Sequence, residues 1–70
     1  MAERLGNRLR ELRAERDLTQ AALAEAVSVS RKTINTVENG VFVPSTTLAL
    51  KLARALDCRV EDIFSLEGIE

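Results

Sequence analysis

Seventy residues, a formal net charge of −1 and 46% hydrophobic content with only 3% aromatic residues bound the chain to one small domain whose core alone stabilises it only marginally. There is no histidine and a single cysteine, Cys58, which removes the commonest general base and excludes both an internal disulfide and a cysteine-rich zinc site. No apolar run approaches the roughly 20 residues that span a bilayer, and the N-terminus lacks a signal-peptide core. A soluble, cytoplasmic protein is expected, with no metal, cofactor, small-molecule ligand or membrane partner.

Ala2 to Arg16 reads as a first helix, with Leu5, Leu9 and Leu12 on one apolar stripe. Most of Arg4, Arg8, Arg10, Glu11, Glu15 and Arg16 are predicted to form its solvated face. After the link Asp17-Leu18, Thr19 can cap a second helix through its hydroxyl, and Leu18 and Leu23 occupy the two ends of a hydrophobic staple. The pattern then repeats. Ser30 is the cap, Val29 and Ile34 form the staple, and Arg31 to Glu38 is predicted to be helical. Ala22 and Thr33 stand where a capping box would place Glu or Gln, so both caps are incomplete boxes.

Between these helices only Val27-Ser28-Val29 remains, which forces a tight turn and a steep crossing, the geometry of a helix-turn-helix. In the second helix of the pair Ile34 and Val37 supply the apolar face, leaving Arg31, Lys32, Thr33, Asn35 and Thr36 to point outward. Those side chains can read base edges: Arg and Lys reach guanine, Asn reaches adenine, and Thr offers a methyl or a hydroxyl.

Asn39-Gly40 ends this helix with a left-handed glycine cap. The loop Val41-Phe42-Val43 is apolar, and Phe42 is expected either to fold back on the core or to cover a neighbouring chain. Pro44 stops and Ser45 restarts the chain as helix from Thr46 to Leu56, with Ala49, Leu52, Ala53 and Leu56 on the core face and Leu50 off it. Asp57-Cys58-Arg59 turns the chain into a last short helix, Val60 to Ser65, burying Ile63 and Phe64. The 65–70 tail carries Leu66 and Ile69 with little core left to join. Leu50, Phe64, Leu66 and Ile69 are therefore expected to contribute to a two-fold dimer interface.

The run LTQAALAEAVSVSRKTINTVENG, followed by Pro-Ser and LALKLARAL, resembles the lambda-repressor/Cro type of helix-turn-helix regulator, also called the xenobiotic-response-element family. The resemblance covers about Asn7 to Phe64. It implies an all-α, compact five-helix DNA-binding domain of residues 1–70, with the motif at about 19–38 formed by helices 2 and 3. It further implies that Gln20 and Asn39 touch DNA phosphates, and that Arg13 pairs with Glu38 in a partly buried salt bridge. Otherwise these are two unrelated surface charges. The expected DNA-binding set is Gln20, Ser30, Arg31, Lys32, Thr33, Asn35, Thr36 and Asn39. Ser28 departs from the family's usual turn glycine, and Thr46 stands where a core leucine is common.

A pI near 5.4 is low for a DNA-binding domain, but charge is unevenly placed. Residues 1–35 hold seven Lys or Arg against five Asp or Glu, whereas residues 36–70 hold three against six. No catalytic constellation is visible: three glycines make no phosphate loop, and Glu61-Asp62 complement a helix dipole. The expected function is sequence-specific binding of double-stranded DNA as a homodimer, repressing from a near-palindrome with half-sites one turn, ~34 Å, apart. An antitoxin-type protein that grips a partner protein and its own promoter is the alternative, and a purely protein-binding helical domain is a third.

Overall fold

The computed structural model describes residues 3–68. In chain order it contains β1 (Glu3–Asn7), α1 (Leu9–Glu15), α2 (Gln20–Ala26), α3 (Arg31–Glu38), α4 (Thr46–Ala55), α5 (Val60–Ile63) and β2 (Phe64–Gly68). The two strands pair antiparallel, with Glu3 opposite Gly68, Leu5 opposite Leu66 and Asn7 opposite Phe64. The five helices stand as expected, but the all-α expectation is corrected by this sheet, which joins the two ends of the chain.

Both corrections to helix length have the same origin. The helix expected from Ala2 begins only at Leu9, because Asn7 turns its side chain to accept the Leu9 N–H at 3.0 Å while its own amide donates to the Val37 carbonyl at 2.9 Å. Gly6, a poor helix residue by about 1 kcal/mol, lies in the strand with the Glu67 side chain across it. At the other end Phe64 is already extended (φ −116°, ψ 144°), so the last helix stops at Ile63 and the tail runs on as a strand. Leu5 therefore reaches the core from a strand, where it is half-buried. The spacing of Leu5, Leu9 and Leu12 does not distinguish the two.

Three serine and threonine caps form as the local chemistry requires. Thr19, Ser30 and Ser45 accept from the N–H groups of Ala22, Thr33 and Leu48 at 2.9, 3.1 and 3.1 Å. The helix exits are just as uniform. Asp17, Ser28, Gly40 and Asp57 all have positive φ, between 53° and 74°. The residue after each donates back to the helix, Leu18 to Arg13, Val29 to Ala24, Val41 to Thr36 and Cys58 to Ala53, at 2.9–3.1 Å. These are the 6→1 bonds of Schellman ends, three of them built on non-glycine residues that carry a steric cost.

The core unites Leu9 and Leu12 of α1, Leu23, Ala24 and Val27 around α2, Ile34 and Val37 of α3, Leu48, Leu52, Ala53 and Leu56 around α4, and Ile63 and Phe64. Leu48 rather than Ala49 supplies the first buried position of α4, and Ala49 is only half-buried. Arg16, expected in a solvated face, instead donates from Nε to the Leu56 carbonyl and ties α1 to the end of α4.

One polar assembly sits beside this apolar core. The Glu38 side chain is 0% exposed; Arg13 meets it at 2.7 Å (Nε to Oε2) and Arg10 at 3.4 Å. Gln20 Nε2 donates to Glu38 Oε1 at 3.0 Å, and Arg13 Nη1 donates to the Leu18 carbonyl at 2.7 Å. Burial alone pushes the Glu38 carboxyl up, but hydrogen bonds from Arg13, Gln20 and Arg10, with the Arg13 charge, outweigh it and hold the group below its ordinary value of 4.5.

A depressed folded-state value means that this contribution to stability is fully present above pH ~4.5 and is lost as pH falls through the lower folded value. Glu38→Gln should cost about 3 kcal/mol at pH 7, since it leaves Arg13 without its counter-charge. Urea midpoints measured from pH 7 down to 3 should fall for the parent protein and lose that component in the variant; parallel curves would contradict the assignment. At the turn between α2 and α3, Ser28→Gly should raise stability by roughly 1 kcal/mol through relief of the left-handed strain, read as a higher urea midpoint.

Candidate nucleic-acid interface

The face of α3 away from Ile34 and Val37 is polar from end to end. Arg31, Lys32, Asn35 and Asn39 are exposed, whereas Thr33 and Thr36 are half-buried. The threonine hydroxyls are already engaged: Thr33 Oγ1 lies 3.0 Å from Ser30 Oγ, and Thr36 Oγ1 donates to the Thr33 carbonyl at 2.9 Å. Their methyl groups and the remaining hydroxyl lone pairs are the chemistry left for a ligand. Ser30 is an exposed helix cap whose Oγ is occupied by the Thr33 N–H.

On the α2 side a chain of amides borders the same face. Gln20, the first residue of α2, directs Nε2 to Asn35 Oδ1 at 3.2 Å as well as to Glu38. Asn39 Nδ2 also points to Asn35 Oδ1, at 3.4 Å, and Asn39 Oδ1 accepts from Arg10 Nη2 at 2.8 Å. Gln20, Asn35 and Asn39 therefore form one hydrogen-bonded rim with Arg10, Arg13 and Glu38 behind it. Arg10 lies in the solvated face expected of it, its side chain 61% exposed, but its sequence context did not reveal that it also reaches Glu38 and Asn39. The available signal was its three-residue offset from Arg13, which places both guanidinium groups on the stripe facing the end of α3.

Across α3 from this rim stands the apolar loop. Val41 and Phe42 both donate their N–H groups to the Thr36 carbonyl, at 2.9 and 3.2 Å, which fixes the loop against the helix. Phe42 is 46% exposed, with Thr33 and Thr36 beside it on one side and Leu48 and Lys51 on the other. It is not part of the core.

The residues expected at a dimer interface fall into two groups. Leu50 and Leu66 are 57% and 70% exposed, but Phe64 is 8% exposed and belongs to the core; Ile69 lies outside the described residues. A shallow apolar groove between Leu5, Val43, Ala49, Leu50, Val60 and the edge of Phe64 runs along this side of the molecule, with exposed Thr46 at its rim. Cys58 is half-buried and unpaired in a disulfide, and burial pushes its thiol up. Among the described residues no group of three or more His, Cys, Asp or Glu could hold a metal ion, and no helix is long and apolar enough to cross a membrane.

Comparison with known proteins agrees with this geometry. Residues 9–63 match the family described as "Helix-turn-helix". The chain is 44% identical over 61 residues to the uncharacterised HTH-type transcriptional regulator YgzD of Bacillus subtilis, covering 87% of this chain and 92% of that one. It is 50% identical over 60 residues to an HTH-type transcriptional regulator of Methanothermobacter thermautotrophicus, covering 84% and 87%. Among solved structures it superposes on the restriction-modification controller protein C.AhdI of Aeromonas hydrophila with a TM-score of 0.75, 40% identity and coverage of 79% and 83%. The transcriptional regulator VanUg gives a TM-score of 0.79 at 27% identity, covering 99% and 92%. The chain belongs to the Cro/CI-type helix-turn-helix family of DNA-binding transcriptional regulators.

Proposed function

We propose that the protein is a transcriptional repressor that binds a near-palindromic operator as a homodimer, with α2 and α3 as its helix-turn-helix and α3 laid in the major groove. The observation that carries this reading is the outer face of α3, where Arg31, Lys32, Asn35 and Asn39 are all exposed with no packing role. Base edges in the major groove present the donors and acceptors such side chains match. Gln20, at the positive end of α2, contacts a phosphate at one wall of the groove through its backbone N–H, its side-chain amide being committed to Glu38 and Asn35, and Asn39 and Ser30 flank the reading residues. Thr33 and Thr36 offer methyl groups suited to thymine, while the hydroxyl of Thr36 donates within the helix and that of Thr33 meets Ser30.

Two copies meet through the side that bears Leu50 and Leu66. Both are large, apolar and exposed; Leu50 lines the groove with Val43 and Val60, and Leu66 is the strand partner of Leu5, which lines it too. Burying them would add apolar area to a domain with a small core of its own. Repression follows from occupancy, because a dimer seated on two half-sites about 34 Å apart blocks other proteins from the same stretch of duplex.

Selection of bound duplexes from a random pool should enrich a two-fold symmetric site. On that site Arg31→Ala should cost ~1–3 kcal/mol and relax preference at one base position, measured by fluorescence anisotropy. Equal weakening on every sequence would move Arg31 from base reading to phosphate contact. In sedimentation equilibrium at micromolar concentration the parent should have twice the chain mass and Leu50→Glu the single-chain mass; a parent that stays monomeric would remove the two-fold element.

A further inference from the structure

The amide rim beside α3 has fixed polarity. An asparagine or glutamine can be turned end for end to suit its neighbours, but here both ends of the chain of bonds are charged groups that allow one arrangement. Glu38 is an acceptor, so the Gln20 atom 3.0 Å from its Oε1 is the amide nitrogen. The same nitrogen lies 3.2 Å from Asn35, which must therefore present its oxygen. From the other side, Arg10 can only donate, so the Asn39 atom 2.8 Å from its Nη2 is the oxygen. Asn39 then turns its nitrogen to Asn35, at 3.4 Å, and meets the same oxygen. Both lone pairs of Asn35 Oδ1 are engaged by amide donors. Asn35 Nδ2, on an exposed side chain of α3, donates to nothing among the described residues.

We infer that Asn35 acts as a donor-only reading group, selecting a base edge that presents acceptors, guanine N7 and O6, and discriminating against adenine. Adenine is the usual partner of an asparagine because Nδ2 donates to N7 while Oδ1 accepts from the 6-amino group. With Oδ1 already satisfied twice, the second of those bonds has no acceptor, and the adenine amino group would be buried unpaired. Guanine needs no acceptor at that edge. Gln20 acts as the positioning residue, since its bond to Glu38 sets the orientation of its own amide and, through it, of Asn35.

This inference rests on the DNA-binding reading above and deepens it to one base step. The experiment starts from duplexes selected by the parent protein and identifies the step whose preference disappears in Asn35→Ala, with thermal melts confirming that both proteins fold. At that step the parent should prefer guanine over adenine by roughly tenfold. Replacing that guanine by 7-deazaguanine, which lacks N7, should weaken the parent several-fold and leave Asn35→Ala unchanged. Gln20→Met, which keeps length but removes the donor and frees one lone pair, should shrink the guanine-to-adenine ratio. A preference for adenine that is lost when the base lacks its 6-amino group would overturn the inference, as would a ratio unmoved by Gln20→Met. If a site is selected but Asn35→Ala alters no preference, the inference alone fails; if no duplex is enriched, the DNA-binding reading fails with it.

Discussion

The fold and the candidate interface both depend on one desolvated charge. A carboxylate with no exposed surface is costly unless it is paired and hydrogen-bonded, and Glu38 is compensated by Arg13 and Arg10 from α1 and Gln20 from α2. Its position is the last residue of α3. The requirement for compensation thus fixes the C-terminal end of α3 against two other helices at once. The same bonds continue outward through Gln20 to Asn35, so the polarity of the exposed rim is set by a charge that no ligand can touch. Removing the carboxylate would loosen an anchor and the candidate interface together.

The rest of the molecule supplies short, sharply ended helices around thirteen buried apolar residues. Helices of seven to ten residues are too short to be stable alone. Side-chain caps at α2, α3 and α4, together with four left-handed exits closed by 6→1 bonds, satisfy backbone groups that would otherwise be open. The β1–β2 pair does similar work at the ends of the chain, where Leu5 adds apolar contact to the core and Arg8 N–H donates to the Ile63 carbonyl at 2.8 Å. Apolar surface remains uncovered at Val41, Val43, Leu50 and Leu66, which a second chain or the duplex would bury.

What could be read from the residues alone followed the range of the interactions. The bounds of α3 and the caps at Thr19, Ser30 and Ser45 are decided within a few residues, and all were legible. The sheet was not. Its pairing joins Glu3 to Gly68, and the local pattern of Leu5, Leu9 and Leu12 suits a helix equally well. Local spacing likewise misplaced Arg16, whose partner is the Leu56 carbonyl, and did not reveal the partners of the exposed Arg10, which are Glu38 and Asn39. The outward residues of α3 were identifiable by elimination from Ile34 and Val37. Which end of each amide faces outward depended on charged groups contributed by α1 and α3 and could be assigned only with the helices packed.

The central claim is that the exposed face of α3, held by Glu38, is the surface that meets DNA. Its most direct test is an NMR titration of the labelled protein with a selected operator duplex, following backbone and side-chain amides together. The largest shifts are expected at residues 31–39 and at the side-chain amides of Gln20, Asn35 and Asn39, with smaller changes around Leu50 and Leu66. Shifts concentrated on α4 and the sheet, with the α3 amides unmoved, would contradict it.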